Sequence, residues 1–107
     1  MKSPIPTSIR IGKARYRVEF PDHMPSAIVV GNISFTNRII KIAKRSGKPL
    51  RTRGLEAMKT TFWHEVVHGI LYDMGSRKNS DEIFVHGIAT RLAQVVKSAR
   101  FDGGDDL

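Results

Sequence analysis

The spacing of apolar residues in the first part of the chain is that of β-strands. From Ala14 to Phe20 apolar side chains alternate with charged ones, which predicts a half-buried strand. Gly12-Lys13 precedes this stretch, and a glycine at the first position of a two-residue loop favours a type II′ turn. We therefore expect a hairpin in which Ser8 to Ile11 forms the partner strand.

A second hairpin is predicted further along the chain. Its strands are Ala27 to Phe35 and Arg38 to Ile42, joined by a turn at Thr36-Asn37. The strand region then occupies residues 1–43, and a basic connection follows over residues 43–50. These two hairpins predict a small antiparallel sheet.

The second half of the chain has the longer apolar period of helices. A first helix is predicted over residues 51–74, ending before Gly75, which is a favourable residue for a helix C-terminus. A second is predicted over residues 81–97, with Asn79 or Ser80 as its N-cap. Strands followed by helices predict an α+β domain in which the sheet packs on two C-terminal helices.

Length and composition limit the architecture and the chemistry. A chain of 107 residues, 40% hydrophobic and 26% charged, is expected to form one globular domain, residues 1–107, with a frayed tail at 99–107. No apolar run predicts a membrane span and the N-terminus does not resemble a secretory signal, so we expect a cytoplasmic protein. Because there is no cysteine, a zinc site would have to use His, Asp and Glu.

The first predicted helix contains His64-Glu65-Val66-Val67-His68, the HExxH pattern. Residues four apart share a helix face, so the two imidazoles converge on one point, as a metal ion requires. Glu65 lies about 100° around the helix, where it can reach a water molecule beside the metal without binding the metal itself. The alternative is a pair of hydrogen-bonded histidines beside a solvated acid.

Catalytic zinc commonly has three protein ligands, so a third must come from another element. On the second helix Glu82 shares a face with Val85 and Ala89, which is suited to packing on the first helix. Glu82 is therefore preferred over Asp81, which is better placed to complement the helix dipole. The alternative roles for Glu82 are an N-terminal acid that complements the helix dipole and a capping box with Asn79.

Two further residues are candidates for a supporting role at this site. His86 lies one turn beyond Glu82 and could replace a ligand, contact one, or stabilise an oxyanion; it could equally be a hydrogen-bonded structural histidine. Tyr72 lies one turn after His68 and could donate to a developing oxyanion, although it could also be a rim aromatic.

The segments HEVVHGILYDMG and DEIFVHGIATRLAQ together resemble the ImmA/IrrE-type gluzincins, especially short phage and prophage members. The strand pair AIVVGNISFTNRIIKIA is similar to the hairpin before the HExxH helix of that family, so the resemblance covers about residues 27–97. It implies a minimal zincin-like domain with Zn²⁺ held by His64, His68 and Glu82. The family's N-terminal helix has no clear counterpart here, and residues 43–54 are unusually basic.

The resemblance and the motif together predict a zinc-dependent endopeptidase acting on a protein or peptide, such as a regulatory protein. Glu65 would be the general base, taking a proton from water and delivering it to the leaving amine. The strand edge near Arg38 to Ile42 would pair with an extended substrate. An inactive zinc-binding domain has the same sequence pattern.

The net charge of +8 is concentrated in residues 1–59, which carry +10, whereas residues 60–107 carry −2. The densest run contains six bases that could bind nucleic acid: Lys41, Lys44, Arg45, Lys48, Arg51 and Arg53. The alternative interpretation is a solvated loop. The rival to an enzyme is thus a binding module that uses this basic half.

Overall fold

The computed structural model describes residues 4–100 and has the predicted α+β architecture. Strands from the first half form small sheets, and two helices from the second half pack against them. The elements in chain order are β1 (Ser8–Ile11), β2 (Ala14–Glu19), β3 (Gly31–Ser34), β4 (Ile39–Ile42), β5 (Arg45–Ser46), β6 (Arg51–Thr52), α1 (Leu55–Asp73), a short 3₁₀ helix (Arg77–Ser80) and α2 (Glu82–Ser98). The predicted tail at 99–107 lies almost entirely outside the described residues.

The main sheet has four strands in the order β1-β2-β4-β3. Both predicted hairpins are present and antiparallel, with Ile9 opposite Tyr16 in one and Ile33 opposite Ile40 in the other. The hairpins join through a parallel pairing of β2 with β4, in which Val18 lies opposite Ile40. The sheet is therefore mixed, because the connection from β2 carries the chain past β4 and places β3 at the outer edge.

The turns explain where the strands end. Gly12 has φ +61° and Lys13 does not have positive φ, as the predicted type II′ turn requires. In the second hairpin, residues 35–38 form the turn and Arg38 has φ +57°. The first strand of that hairpin begins at Gly31 rather than at Ala27, and residues 27–30 form an irregular segment beside α1.

The basic connection is more ordered than the sequence predicts, and α1 begins later. β5 and β6 form a two-stranded sheet, with Arg45 opposite Thr52. The N–H of Arg53 donates to the carbonyl of Lys44 at 2.8 Å, which extends this pairing beyond β6. The helix predicted from residue 51 therefore starts at Leu55, after an extended N-cap residue at Gly54.

The core lies on both sides of α1. On one side Phe62 and Val66 pack with the inner face of the sheet, including Ile40 and Ile42. On the other side Val67 and Leu71 pack with Val85 and Ala89 of α2, as the predicted inward face of α2 requires. Within residues 4–100 neither helix is sufficiently long and apolar to cross a bilayer.

The connection between the helices is short and capped at both ends. α1 ends as predicted before Gly75, which has φ +68°. α2 is capped by Asp81, whose carboxylate accepts the N–H of Phe84 at 3.0 Å. The predicted N-caps Asn79 and Ser80 instead belong to the 3₁₀ helix, which brings the first turn of α2 back alongside α1.

Candidate metal centre

His64 and His68 lie one turn apart on α1, and both are partly exposed. Their ring centroids are 4.9 Å apart, one helical turn along the axis. Their side chains are 22% and 14% exposed, so each ring is shielded by the helix surroundings yet still reaches solvent. This is the arrangement that the i, i+4 spacing predicts for two ligands of one ion.

The first residue of α2 completes the group. The Glu82 carboxylate lies between the histidines, with Oε2 3.0 Å from His64 Nε2 and Oε1 3.0 Å from His68 Nε2. One ligand atom from each of the three residues can be chosen so that all lie within 4.8 Å of one another. The structure thus brings together the three predicted ligands. Asp81 lies outside the group, because its carboxylate accepts the backbone N–H of Phe84 at the N-terminus of α2.

Asn79 orients one of the imidazoles. Nδ1 of His68 lies 2.7 Å from Oδ1 of Asn79, an acceptor that favours a proton on Nδ1. In the neutral ring the lone pair is then on Nε2, which faces Glu82. Histidines that bind metals commonly donate their other N–H in this way. The sequence did not single out this role, because Asn79 could not be distinguished from an N-cap.

The charge state of the group suits a divalent metal ion. Burial lowers the pKa of His64 below its usual value, although Glu82 opposes this, and the neutral ring is the form that binds metals. Two imidazoles and a carboxylate form the donor set found in catalytic zinc sites.

Glu65 lies beside this group and does not belong to it. The residue is only 7% exposed, although it carries a carboxyl group. The pKa of Glu65 is raised to about 7, mainly because burial removes the carboxylate from water; His68 opposes this shift and Glu82 adds to it. A carboxyl group with this proton affinity can accept and return a proton near neutral pH.

A cavity of about 440 Å³ lies beside this group, and we call it the histidine cleft. One side is lined by His64, Glu65, Glu82 and His86, and the other by residues 28–31. His86 reaches it from α2, with its ring centroid 6.2 Å from that of His64. His86 is therefore placed to contact a ligand in the cleft, as the sequence predicted for a supporting residue. The opposite wall of the cleft is apolar, because it contains Ile28, Val29 and Val30.

Tyr72, the other candidate for an oxyanion contact, lies elsewhere. Its ring stacks on Phe35 with centroids 4.0 Å apart and planes 3° from parallel. It lines a second cavity, the tyrosine cleft, of about 400 Å³ at the other end of α1; this cavity is lined by Ile11, Lys13, Ala14, Tyr16, Phe35, Arg38, Tyr72 and Asp73. The structure therefore places Tyr72 away from His64, in the tyrosine cleft, and the proposed oxyanion contact stays a prediction.

Arg53 fixes the wall of the histidine cleft to α1, a role that the sequence did not indicate. Its guanidinium donates to Thr61 Oγ1 at 2.6 Å, to the carbonyl of Ala43 at 3.1 Å and to the carbonyl of Val30 at 3.3 Å. Thr61 is buried one turn before Glu65. Arg53 thus joins the segment before β3 to the helix that carries the motif.

Gly31 permits the close approach of this edge strand to α1. A Cβ at this position would lie 2.5 Å from Thr61 Cγ2 and 3.4 Å from Glu65 Oε2. A side chain of any size would therefore push β3 away from the cleft. A glycine within a predicted strand is a sequence signal for such a contact, although it does not identify the partner.

No match is found when the chain is compared with protein-family models, with curated proteins and with solved structures. What the geometry of the site establishes is a His64-His68-Glu82 group that could hold a metal ion.

Proposed function

We propose that the protein is a zinc-dependent endopeptidase. The observation that carries the proposal is the convergence of His64, His68 and Glu82 within 4.8 Å, with the buried carboxyl group of Glu65 directly beside them. A metal-binding group alone does not need an unliganded buried acid, which costs stability. A hydrolase does need one, because a proton must be taken from water and passed to the leaving group.

The division of roles among the residues follows from their positions. When bound, zinc supplies a positive charge that polarises a carbonyl group and makes a water molecule more acidic. His64, His68 and Glu82 would hold the ion, and Asn79 keeps the His68 ring in the tautomer that exposes Nε2. Glu65 would accept the proton of the attacking water and deliver it to the amine that leaves.

The strand that would bind an extended substrate is β3 rather than the predicted Arg38 to Ile42. That predicted edge is β4, which pairs with strands on both sides. In the second hairpin the N–H of Ala43 donates to the carbonyl of Val30, so hydrogen bonds alternate from that pair. The N–H and C=O of Gly31 and Ile33 consequently point away from β4, where a substrate backbone could pair with them.

The apolar wall of the histidine cleft favours an apolar side chain next to the cleaved bond. Ile28 is 86% exposed and Val29 is 39% exposed, although both are β-branched and apolar. Both line the cleft opposite His64 and Glu65. A substrate side chain that covered them would remove apolar surface from water, which contributes roughly 25 cal/mol per Å².

We also propose that the chain is a short relative of the ImmA/IrrE-type gluzincins, on the segments HEVVHGILYDMG and DEIFVHGIATRLAQ. The support is the chain order of a strand hairpin, a helix with two histidines and a glutamate, and a second helix that begins with Glu82. Zinc as the natural metal and a regulatory protein as substrate stay predictions from that resemblance, and a cytoplasmic location stays a prediction from the sequence pattern.

The experiment compares wild type with Glu65→Gln, which keeps the shape of the side chain and removes the proton acceptor. Both proteins should bind about one zinc ion per chain, as a single three-ligand site requires. Wild type should cleave members of a fluorescence-quenched peptide library in a chelator-sensitive reaction, preferring an apolar side chain beside the cleaved bond. Glu65→Gln should lower that rate by about two orders of magnitude or more.

Two outcomes would count against the proposal. Equal cleavage by Glu65→Gln and wild type would exclude Glu65 as the general base. Zinc binding by wild type without cleavage of any library member would favour the alternative, a zinc-binding domain without turnover.

A further inference from the structure

The face of the main sheet that points away from α1 is strongly basic. Strand alternation places Arg10 of β1, Arg15 and Arg17 of β2, and Lys41 of β4 on this side, and all four are exposed. We call these residues and their strand neighbours on the same side the outer sheet face. The acid on this face within the described strands is Glu19, which accepts from Arg17 at 3.1 Å.

The arrangement of these cations is not one that stabilises a sheet. Arg10 lies directly opposite Arg15 in the β1–β2 pair. Like charges in that position repel each other and destabilise the hairpin. Both side chains donate hydrogen bonds within the hairpin, Arg10 to the carbonyl of Gly12 and Arg15 to the hydroxyl of Ser8. The face thus carries four cations against one carboxylate, a net charge of +3.

The basic run of residues 41–53, which the sequence offers either as a nucleic-acid contact or as a solvated loop, is less suited to binding a polyanion. Arg45 pairs with the Asp22 carboxylate, and this contact lowers the pKa of Asp22 to about 2. Arg53 is held by Thr61 and by backbone carbonyls at the edge of the histidine cleft. Of the six predicted bases, Lys41 belongs to the outer sheet face, and the other three, Lys44, Lys48 and Arg51, are exposed around the β5–β6 hairpin.

We propose that the outer sheet face binds the phosphate backbone of double-stranded DNA. Three of its four cations are arginines, whose planar guanidinium matches the oxygens of a phosphate. Cross-strand neighbours are ~5 Å apart and same-face residues along a strand are ~6.7 Å apart. The face therefore presents a compact set of cations about 10 Å across, from β1 to β4.

The chemistry of the rest of the face favours a nucleic acid over an acidic protein. Protein interfaces have a desolvated centre with apolar or aromatic anchors. Within the described strands this face carries one apolar residue, Ile39, which is only partly exposed, and the remaining neighbours are small polar residues such as Asn32 and Ser34. Contacts with phosphates need no such anchor, because they gain from the release of counterions.

The same composition favours a DNA duplex over other nucleic acids. Single strands bind through aromatic side chains on which bases stack, and the strand residues of this face contain no aromatic. A patch about 10 Å across can contact both phosphate rows along the minor groove of B-form DNA, which is about 6 Å wide. The minor groove of an RNA duplex is wide and shallow.

The test compares two triple variants that remove the same charge. Arg10, Arg17 and Lys41 are changed to Gln in one, and Lys44, Lys48 and Arg51 are changed to Gln in the control. A labelled 20-base-pair DNA duplex is titrated with each protein at several salt concentrations, with chelator present. Circular dichroism and thermal melting establish that each variant is folded.

Wild type should bind the duplex with an affinity that falls steeply with salt. The variant of the outer sheet face should lose at least about tenfold in affinity. The slope of log affinity against log salt concentration should become shallower by about 2.7, which is about 0.9 for each of the three cations removed. The control variant should change by less than about threefold. Because chelator is present throughout, this result is independent of the metal centre.

Several results would overturn the proposal. Equal losses in the two variants would show that only total charge matters, and a larger loss in the control would assign binding to the β5–β6 hairpin. Equal or tighter binding of a single strand, of an RNA duplex or of polyglutamate would assign the face to that ligand instead of duplex DNA. If either triple variant fails to fold, the single variants Arg10→Gln and Lys48→Gln provide the same comparison on a smaller scale.

Discussion

The histidine cleft and the tyrosine cleft are cavities of similar volume along the same helix, about 440 and 400 Å³. The histidine cleft is lined by His64 and Glu82, which together with His68 offer ligand atoms within 4.8 Å of one another, and by the buried acid Glu65. The tyrosine cleft also contains ionisable groups, from Lys13, Arg38 and Asp73. No metal-binding group of three is found there among residues 4–100.

The difference comes from which elements form each cavity. The tyrosine cleft lies between the sheet and the end of α1, and its aromatic wall is a stacked Phe35–Tyr72 pair. The histidine cleft also receives the first turn of α2, which contributes Glu82 and His86. The volume of a cavity therefore does not identify a metal site. A site is identified by side chains from separate elements that converge on one point.

The largest expected effect is the loss of a histidine ligand. Structural zinc sites bind with ~10–16 kcal/mol, so His64→Ala or His68→Ala should weaken zinc binding by ~3–5 kcal/mol, about a thousandfold. Tyr72→Phe is the matched change in the tyrosine cleft and should leave the affinity unaltered. A competition titration against a chromophoric chelator measures all three. Stoichiometric zinc in both histidine variants after dialysis against a weak chelator would exclude this site.

Glu82 and Asp81 offer a sharper test within the histidine cleft, since they are neighbours with different predicted roles. Glu82→Gln removes the charge that faces the metal but keeps an oxygen, so zinc affinity should fall by about a hundredfold. Asp81→Asn should barely change it, because Asn is also a good N-cap. The same competition titration applies. A larger loss for Asp81→Asn, or for a His86→Gln variant, would reassign the third ligand.

The buried acid of the histidine cleft should make the stability of the metal-free protein depend on pH. The pKa of Glu65 is raised from 4.5 to about 7, so its contribution is fully present below about pH 4.5 and is lost as pH rises through 7. The shift corresponds to at most about 3 kcal/mol at pH 8. Denaturant unfolding with chelator at pH 5 and pH 8 measures it. Glu65→Gln should remove most of the difference, and an unchanged pH profile would refute this cause.

The smallest expected effect concerns Asn79, which contacts a ligand and not the metal. Asn79→Ala removes the acceptor for His68 Nδ1 and should lower zinc affinity by about 10- to 100-fold. Asn79→Asp keeps an acceptor at this position and should restore most of the affinity. Ser80→Ala, a neighbouring change in the 3₁₀ helix, is the control. If Asn79→Ala and Ser80→Ala have equal effects, the contact with His68 does not stabilise the bound tautomer.

Much of the fold and the centre of the site could be predicted because their signals are local. Residues four apart on a helix share a face whatever surrounds them, so His64 and His68 were expected to converge, and Glu65 to lie beside them. Apolar periodicity likewise predicted the inward face of α2, and with it Glu82. Positive φ at Gly12 and Gly75 follows from the glycines themselves.

The remaining features depend on contacts between residues distant in sequence. The parallel pairing of β2 with β4 places β3 at the edge of the sheet. The strand available to an extended substrate is therefore β3, and not β4 as the sequence predicted. The charge pattern places Arg53 in a basic run, either a nucleic-acid contact or a solvated loop, yet its guanidinium binds carbonyls from separate segments and Thr61.

Sequence patterns predict the two hairpins of the main sheet, the two long helices, the histidine pair and the acid between them, since each of these follows from the geometry of a single helix or hairpin. The tertiary structure was needed to show that Asn79 contacts His68, that Tyr72 lies in the other cleft, and that four cations share the outer sheet face. Each of these features depends on a turn or a strand pairing that brings residues distant in sequence together. Small rotations at those points carry a side chain from one surface of the molecule to another.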